Sequence, residues 1–178
     1  MKFLSKLILI HIMGWKIIND FPKLKKYVII AAPHTSWQDF PIAILAKFIK
    51  GAKVNYIGKA SLFKPPFGFI FRWLGGAPVD RTKNMNLVDV IINIFNSKEY
   101  FVLGMSPEGT RRKVDTWKTG FYYIAKGADV PIVMATLNFP KKEIKISEPY
   151  YLTDDMDADM KHFKSYFKGV KGKHPELT

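Results

Sequence analysis

Residues 27–39 read YVIIAAPHTSWQD, a continuous apolar run that a proline ends and a polar stretch follows. The run Tyr27–Ala32 is typical of a strand that is buried on both faces of a sheet. The next segment, Phe40–Ile49, has apolar residues at helical spacing, and Gly51 closes it as a helix C-terminus. A buried strand, a short turn and a helix therefore predict the first unit of an α/β fold.

The rest of the chain repeats this alternation. Apolar runs predict strands at 53–57, 77–79, 100–103 and 131–137, and charged and apolar residues alternate at 143–146 as in an edge strand. Helical spacing predicts helices at 67–74, 86–96, 120–126 and 154–167. We therefore expect residues 21–178 to form a single α/β domain, with a largely parallel central sheet flanked by helices. Ligands of such sheets bind at the carboxyl ends of the strands.

Residues 1–20 begin with MKFLSKLILIHIMGWKII, in which lysines interrupt an apolar stretch. A membrane-spanning helix needs about 20 mostly apolar residues, so this segment is too short and too charged to span. An amphipathic helix in the membrane interface fits the pattern. An ordinary buried N-terminal helix fits it equally well.

The turn after the first strand holds His34 and Asp39. Residues five apart do not face each other on a regular helix, so they meet only if His34 lies in the turn and Asp39 begins the helix. Pro41 supports this placement, because proline is tolerated in the first helical turn. A carboxylate on one ring nitrogen would make the other a general base toward an alcohol. The alternative is that Asp39 is a helix N-cap and His34 an ordinary turn residue.

A second polar loop, Ser106–Arg112, directly follows the strand predicted at 100–103. Gly109 permits a left-handed backbone conformation. Arg111 and Arg112 offer fork-shaped donors for a phosphate, and Glu108 could bind a substrate hydroxyl. The alternative is a solvated turn with a local ion pair.

A third loop, Gly75–Arg81, joins two glycines, a short strand and an Asp-Arg ending. This pattern suggests another phosphate-facing loop, although a turn with a surface arginine is the commoner case.

The composition limits the partners. The 178 residues carry a formal net charge of +13, which favours an anionic membrane surface, an acidic substrate or a nucleic acid. The lysines are scattered and no recognition motif is present, so a nucleic-acid partner is disfavoured. The chain has no cysteine and its four histidines lack zinc-site spacing, so we expect no metal. No G-x-S-x-G elbow marks a serine hydrolase.

Taken together, these residues resemble the glycerolipid acyltransferase family, which includes the 1-acylglycerol-3-phosphate acyltransferases. The similar segments follow the family's order over about residues 27–137: the His-x4-Asp motif at His34 and Asp39, Gly58-Lys59, Gly76–Arg81, Pro107–Arg111 and Val130–Val133. The resemblance implies a glycerol-3-phosphate acyltransferase-like fold. It also implies transfer of a fatty acyl group from an acyl thioester to the free hydroxyl of a lysophospholipid, 1-acylglycerol 3-phosphate above all, in phospholipid biosynthesis.

In this resemblance His34 is the general base and Asp39 its orienting partner. The expected substrate-binding residues are Glu108, Gly109 and Thr110 around the acceptor, with Arg81, Arg111 and, as a weaker candidate, Lys59 on its phosphate. Acyl-CoA or acyl-carrier protein would be the co-substrate, with no cofactor. We expect peripheral binding to the cytoplasmic face of the cell membrane. A non-catalytic lipid-surface protein, or an acyltransferase for another lysolipid or an aminolipid, is the alternative.

Overall fold

A computed structural model describes residues 1–79, 87–153 and 155–177. Within this part of the chain, seven strands form one sheet in the order β1-β7-β6-β2-β5-β3-β4. All neighbouring strands are parallel except β6 and β7, which are antiparallel. The predicted α/β domain with a largely parallel sheet is therefore confirmed.

The helices and strands follow the predicted alternation closely. The strands are β1 (Lys16–Ile18), β2 (Lys26–Ala32), β3 (Val54–Lys59), β4 (Gly76–Val79), β5 (Phe101–Met105), β6 (Ile132–Asn138) and β7 (Glu143–Ile146). The α-helices are α1 (Lys2–Lys6), α2 (Asp39–Lys50), α3 (Gly68–Trp73), α4 (Leu87–Ser97), α5 (Gly120–Gly127) and α6 (Met156–Phe167). Leu7–Ile12 is π-helical, and Ala60–Phe63 and Pro175–Leu177 are 3-10 turns.

The central strand β2 has apolar side chains on both of its faces. Val28 and Ile30 pack with α4, α5 and α6 on one side of the sheet. Tyr27 and Ile29 pack with α2 and the N-terminal helix on the other side. Helices cover both faces, which explains why the strand is a continuous apolar run in the sequence.

The N-terminal helix is shorter than predicted. It runs from Lys2 to Ile12, and the backbone turns at Gly14, whose φ is +73°. The chain then enters the domain, because Lys16–Ile18 forms β1 parallel to β7. The expected boundary at residue 20 therefore does not mark the end of the helix. None of the helices in the described ranges combines the length and the apolar character that a membrane span requires.

The strand at Glu143–Ile146 is present, but it is not at the edge of the sheet. β1 pairs with its outer side, so β7 lies between β1 and β6. The alternation in β7 reflects two unlike faces, since Ile144 and Ile146 are buried and Lys145 is exposed.

The segment Val170–Leu177, here called the C-terminal strap, crosses the carboxyl end of the sheet. The Phe139 N–H donates to the Lys171 carbonyl over 3.0 Å, which ties the strap to the residue after β6. The His174 N–H donates to Thr35 Oγ1 over 3.2 Å, which ties it to the turn after β2. The strap was not predicted from the sequence.

Candidate active site

The carboxyl ends of β2 and β5 are neighbours, because the two strands pair in parallel with Ile30 beside Met105. The polar segments that follow them, beginning at Pro33 and Ser106, therefore meet at one edge of the sheet. This is the edge where ligands of parallel sheets bind.

His34 and Asp39 lie in hydrogen-bonding contact, as the turn geometry predicted. His34 Nδ1 lies 2.8 Å from Asp39 Oδ2. The His34 side chain is 31% exposed, whereas the Asp39 side chain is only 3% exposed. With Nδ1 donating to the carboxylate, Nε2 is the nitrogen that can take a proton from a substrate.

Asp39 is held by the turn that precedes α2. Its Oδ2 also accepts from the Ser36 N–H over 2.9 Å, and Gln38 occupies the N-cap position. The interpretation of Asp39 as the N-cap is therefore wrong, since its side chain points back to the turn and not to the first N–H groups of α2. Asp39 Oδ1 is buried and has no hydrogen-bond partner among the described residues.

Glu108 supports His34 from the loop after β5. Its Oε2 accepts from the His34 backbone N–H over 2.6 Å and from Ser106 Oγ over 3.4 Å. Burial raises the pKa of the Glu108 carboxyl above its usual value, although the His34 N–H acts in the opposite direction. The sequence suggested a substrate hydroxyl or a local ion pair as its partner, but the described contacts place this carboxylate on the turn that holds His34.

Of the remaining predicted residues, some lie near the turn that follows His34, one lies farther along the sheet and one is outside the described part of the chain. Gly109 has a φ of +66°, so the predicted left-handed backbone is confirmed. Thr110 and Arg111 follow it and line an open cavity with the turn after His34. Lys59 ends β3, which β5 separates from β2, and its side chain is exposed. Arg81 lies outside the described residues.

An apolar cavity of about 250 Å³ lies between α2 and the sheet. His34 and Asp39 form part of its wall, and Ile29, Ala46 and Ala135 are among the side chains that line the rest. The sequence did not predict this cavity, because its lining comes from α2 and five strands. It joins the imidazole to a volume suited to an aliphatic chain.

The family model for acyltransferases matches residues 15–137 of this chain. Among solved structures, the crystal structure of the 1-acyl-sn-glycerophosphate (LPA) acyltransferase PlsC from Thermotoga maritima superposes with a TM-score of 0.67. The two chains are 19% identical, and the match covers 94% of this chain and 75% of that one. At this identity the likeness shows a shared fold. No curated protein matches the chain.

The contact between Glu108 and the His34 N–H predicts different effects for two substitutions. Glu108→Ala leaves a part-buried N–H without its acceptor and should lower the free energy of unfolding by about 1–3 kcal/mol. Glu108→Gln keeps an acceptor oxygen, so it should lower the free energy of unfolding by less than Glu108→Ala does. Urea denaturation at neutral pH measures both, and equal losses would show that the contact does not stabilise the turn.

Because the pKa of Glu108 is raised, the difference in unfolding free energy between the wild type and Glu108→Gln should depend on pH. A carboxyl with a raised folded-state pKa stabilises the protein fully below its unfolded-state pKa, and this contribution is lost as pH rises through the folded-state value. Relative to Glu108→Gln, the wild type should therefore lose stability as pH rises above the usual carboxyl value of 4.5. A constant difference across this range would contradict the effect of burial.

Proposed function

This chain belongs to the acyltransferase family, and we propose that it moves a fatty acyl group from an acyl thioester to the free hydroxyl of a lysophospholipid. The observation that carries this proposal is the contact between His34 Nδ1 and Asp39 Oδ2, beside an apolar cavity. The acceptor is 1-acylglycerol 3-phosphate, the substrate class named for the Thermotoga maritima enzyme with the similar fold. The donor is acyl-CoA or acyl-carrier protein, and the product enters phospholipid biosynthesis.

The proposed reaction is a direct transfer. His34 Nε2 takes the proton of the acceptor hydroxyl while the oxygen forms a bond to the thioester carbonyl carbon. Asp39 stabilises the resulting imidazolium through Nδ1. The tetrahedral intermediate then collapses, the carbon–sulfur bond breaks, and the leaving thiolate takes the proton from Nε2. Glu108 is a positioning residue in this reaction. It holds the backbone of His34 and leaves the ring free to move the proton.

His34→Ala should abolish transfer. The protein should stay folded but lose some stability, because the partly exposed ring contributes little to the core whereas the buried Asp39 Oδ2 keeps only the Ser36 N–H of its two partners. General-base catalysis contributes roughly 10²–10⁴-fold to a rate, so the loss should be at least of that order. Thiol release with acyl-CoA and 1-acylglycerol 3-phosphate measures it. His162→Ala, at an exposed histidine on α6, is the matched control. A folded His34→Ala protein with wild-type turnover would refute the role of His34.

The cavity under α2 supports a binding site for the acyl chain of the donor. α2 leads away from the carboxyl edge, and Ala46 lies two turns along it from Asp39, or roughly 10 Å at the helical rise per residue. Ala46 is buried and contributes no side chain beyond its methyl group. A larger side chain at position 46 would therefore shorten the part of the cavity that is open to the acyl chain of the donor.

Ala46→Leu should shift the preference of the enzyme toward shorter acyl chains. Each displaced methylene is worth about 0.8 kcal/mol, so the ratio of kcat/KM for a short over a long donor should rise by roughly fourfold per methylene lost. A series of acyl-CoA donors of increasing length measures the ratio. Ala158→Leu, at an exposed position of α6, is the control. An unchanged length preference in a folded Ala46→Leu protein would place the acyl chain elsewhere.

The proposed location is the cytoplasmic face of the cell membrane, bound peripherally through the N-terminal helix. Phe3 is 82% exposed and Leu7 is 40% exposed, whereas Leu9 on the same helix is buried against the domain. One side of the helix thus anchors it, and the other presents Phe3 and Leu7, which directly follow Lys2 and Lys6 in the sequence. This arrangement, with a net charge of +13, suits an anionic lipid surface.

The double substitution Phe3→Asp, Leu7→Asp should weaken binding to vesicles that contain anionic lipids by roughly tenfold or more, because a buried apolar side chain contributes about 1.5–3 kcal/mol. Co-sedimentation with the vesicles measures this. Tyr123→Asp replaces a similarly exposed apolar side chain on α5 and should bind as the wild type does. Equal binding by all three proteins would exclude the helix as the contact.

A further inference from the structure

The C-terminal strap, Val170–Leu177, packs directly on the turn after His34. Gly172 is buried there, and a Cβ at this position would overlap Thr35 Oγ1 and lie 2.9 Å from Thr35 Cγ2. The strap can approach Thr35 this closely only because Gly172 has no side chain. Together with the bond from the His174 N–H to Thr35 Oγ1, this close packing fixes the strap against the active-site turn.

The strap also completes one wall of a cavity of about 490 Å³. The opposite walls come from the turn Thr35–Trp37 and from the loop Thr110–Arg112. Arg111, Arg112 and His174 all line this cavity. The family model ends at residue 137, so the contribution of His174 lies outside the matched segment.

The charges around this cavity are predominantly positive. Within the described residues, neither Arg111 nor Arg112 has a carboxylate within ion-pair distance. His174 Nδ1 lies 3.3 Å from Glu176 Oε1, and both side chains are at least half exposed. The Arg112 backbone N–H donates to Thr110 Oγ1 over 3.3 Å, which steadies the loop that carries both arginines.

We propose that this cavity binds a phosphate group of a substrate, with Arg112 and the strap residue His174 as phosphate ligands in addition to Arg111. This inference rests on the proposed acyl transfer, since it concerns the same site. Two arginines and a histidine line one volume. Guanidinium and imidazole groups carry N–H donors, and phosphate oxygens are acceptors that bind such donors strongly. The phosphate belongs either to the lysolipid head group or to coenzyme A, and both offer the same chemistry.

The first test is kinetic and uses the full chain. His174→Ala should raise the apparent KM of the phosphate-bearing substrate roughly tenfold, as expected for loss of a charged hydrogen bond, and should change kcat little. His174→Lys should restore most of the affinity, because its ammonium group supplies N–H donors to the cavity in place of the imidazole. His162→Ala is the matched control and should leave the KM of acceptor and donor unchanged.

The two sources of phosphate give different outcomes. If the head group binds here, the KM for the lysolipid acceptor rises and the KM for the donor does not. If coenzyme A binds here, the KM for acyl-CoA rises, whereas the KM for an acyl N-acetylcysteamine thioester, which lacks phosphate, does not. Unchanged KM values for every substrate in His174→Ala would overturn the proposal.

The second test measures binding without turnover. Glycerol 3-phosphate and coenzyme A are titrated, in separate experiments, into the wild-type protein while the ring protons of the histidines are followed by NMR. The His174 signal should shift in a saturable way, and Arg112→Gln should weaken that shift. A wild type that transfers acyl groups but shows no His174 shift would refute the phosphate site and leave the enzyme assignment standing. A saturable shift in a protein that transfers no acyl group would support the site and refute the proposed reaction.

Discussion

The hydrogen bond between His34 Nδ1 and Asp39 Oδ2 is the interaction on which the rest of the site depends. The Asp39 carboxylate is almost completely buried, and its Oδ1 has no partner within the described chain. A buried anion is costly unless its charge is compensated. The Asp39 carboxylate has two hydrogen-bond partners at Oδ2, the His34 ring at 2.8 Å and the Ser36 N–H at 2.9 Å, so the orientation of the ring and the burial of the carboxylate depend on each other.

The parallel sheet supplies the support for this pair. His34 follows β2 and Glu108 follows β5, and the pairing of those strands brings the Glu108 carboxylate to the His34 N–H. The ring is therefore held through Asp39 and the backbone through Glu108. Two carboxylates act on one histidine from opposite ends of the residue, Asp39 from the first turn of α2 and Glu108 from the loop after β5.

Local signals in the sequence were sufficient for the parts of the site that depend on near neighbours. The apolar run of β2, Pro41 in the first turn of α2 and the left-handed Gly109 all follow from sterics and periodicity within a few residues. Contacts between distant residues were not predictable in this way. Glu108 meets His34 across 74 positions, and His174 meets Thr35 across 139. β1 was also missed, because three residues next to a helix carry too little periodicity to indicate a strand.

The turn from Thr35 to Asp39 separates two cavities of opposite character. On one side, under α2, the lining is largely apolar and includes the His34 ring. On the other side, the turn faces Arg111, Arg112 and His174. A lysophospholipid and an acyl thioester are both amphiphiles, with an aliphatic chain joined to a phosphate-bearing group. In the proposed reaction the bonds that form and break lie at that junction. His34, the proposed base, lies between the apolar cavity and the cavity lined by the two arginines. It is therefore close to the point where the aliphatic chain of each substrate meets its polar group.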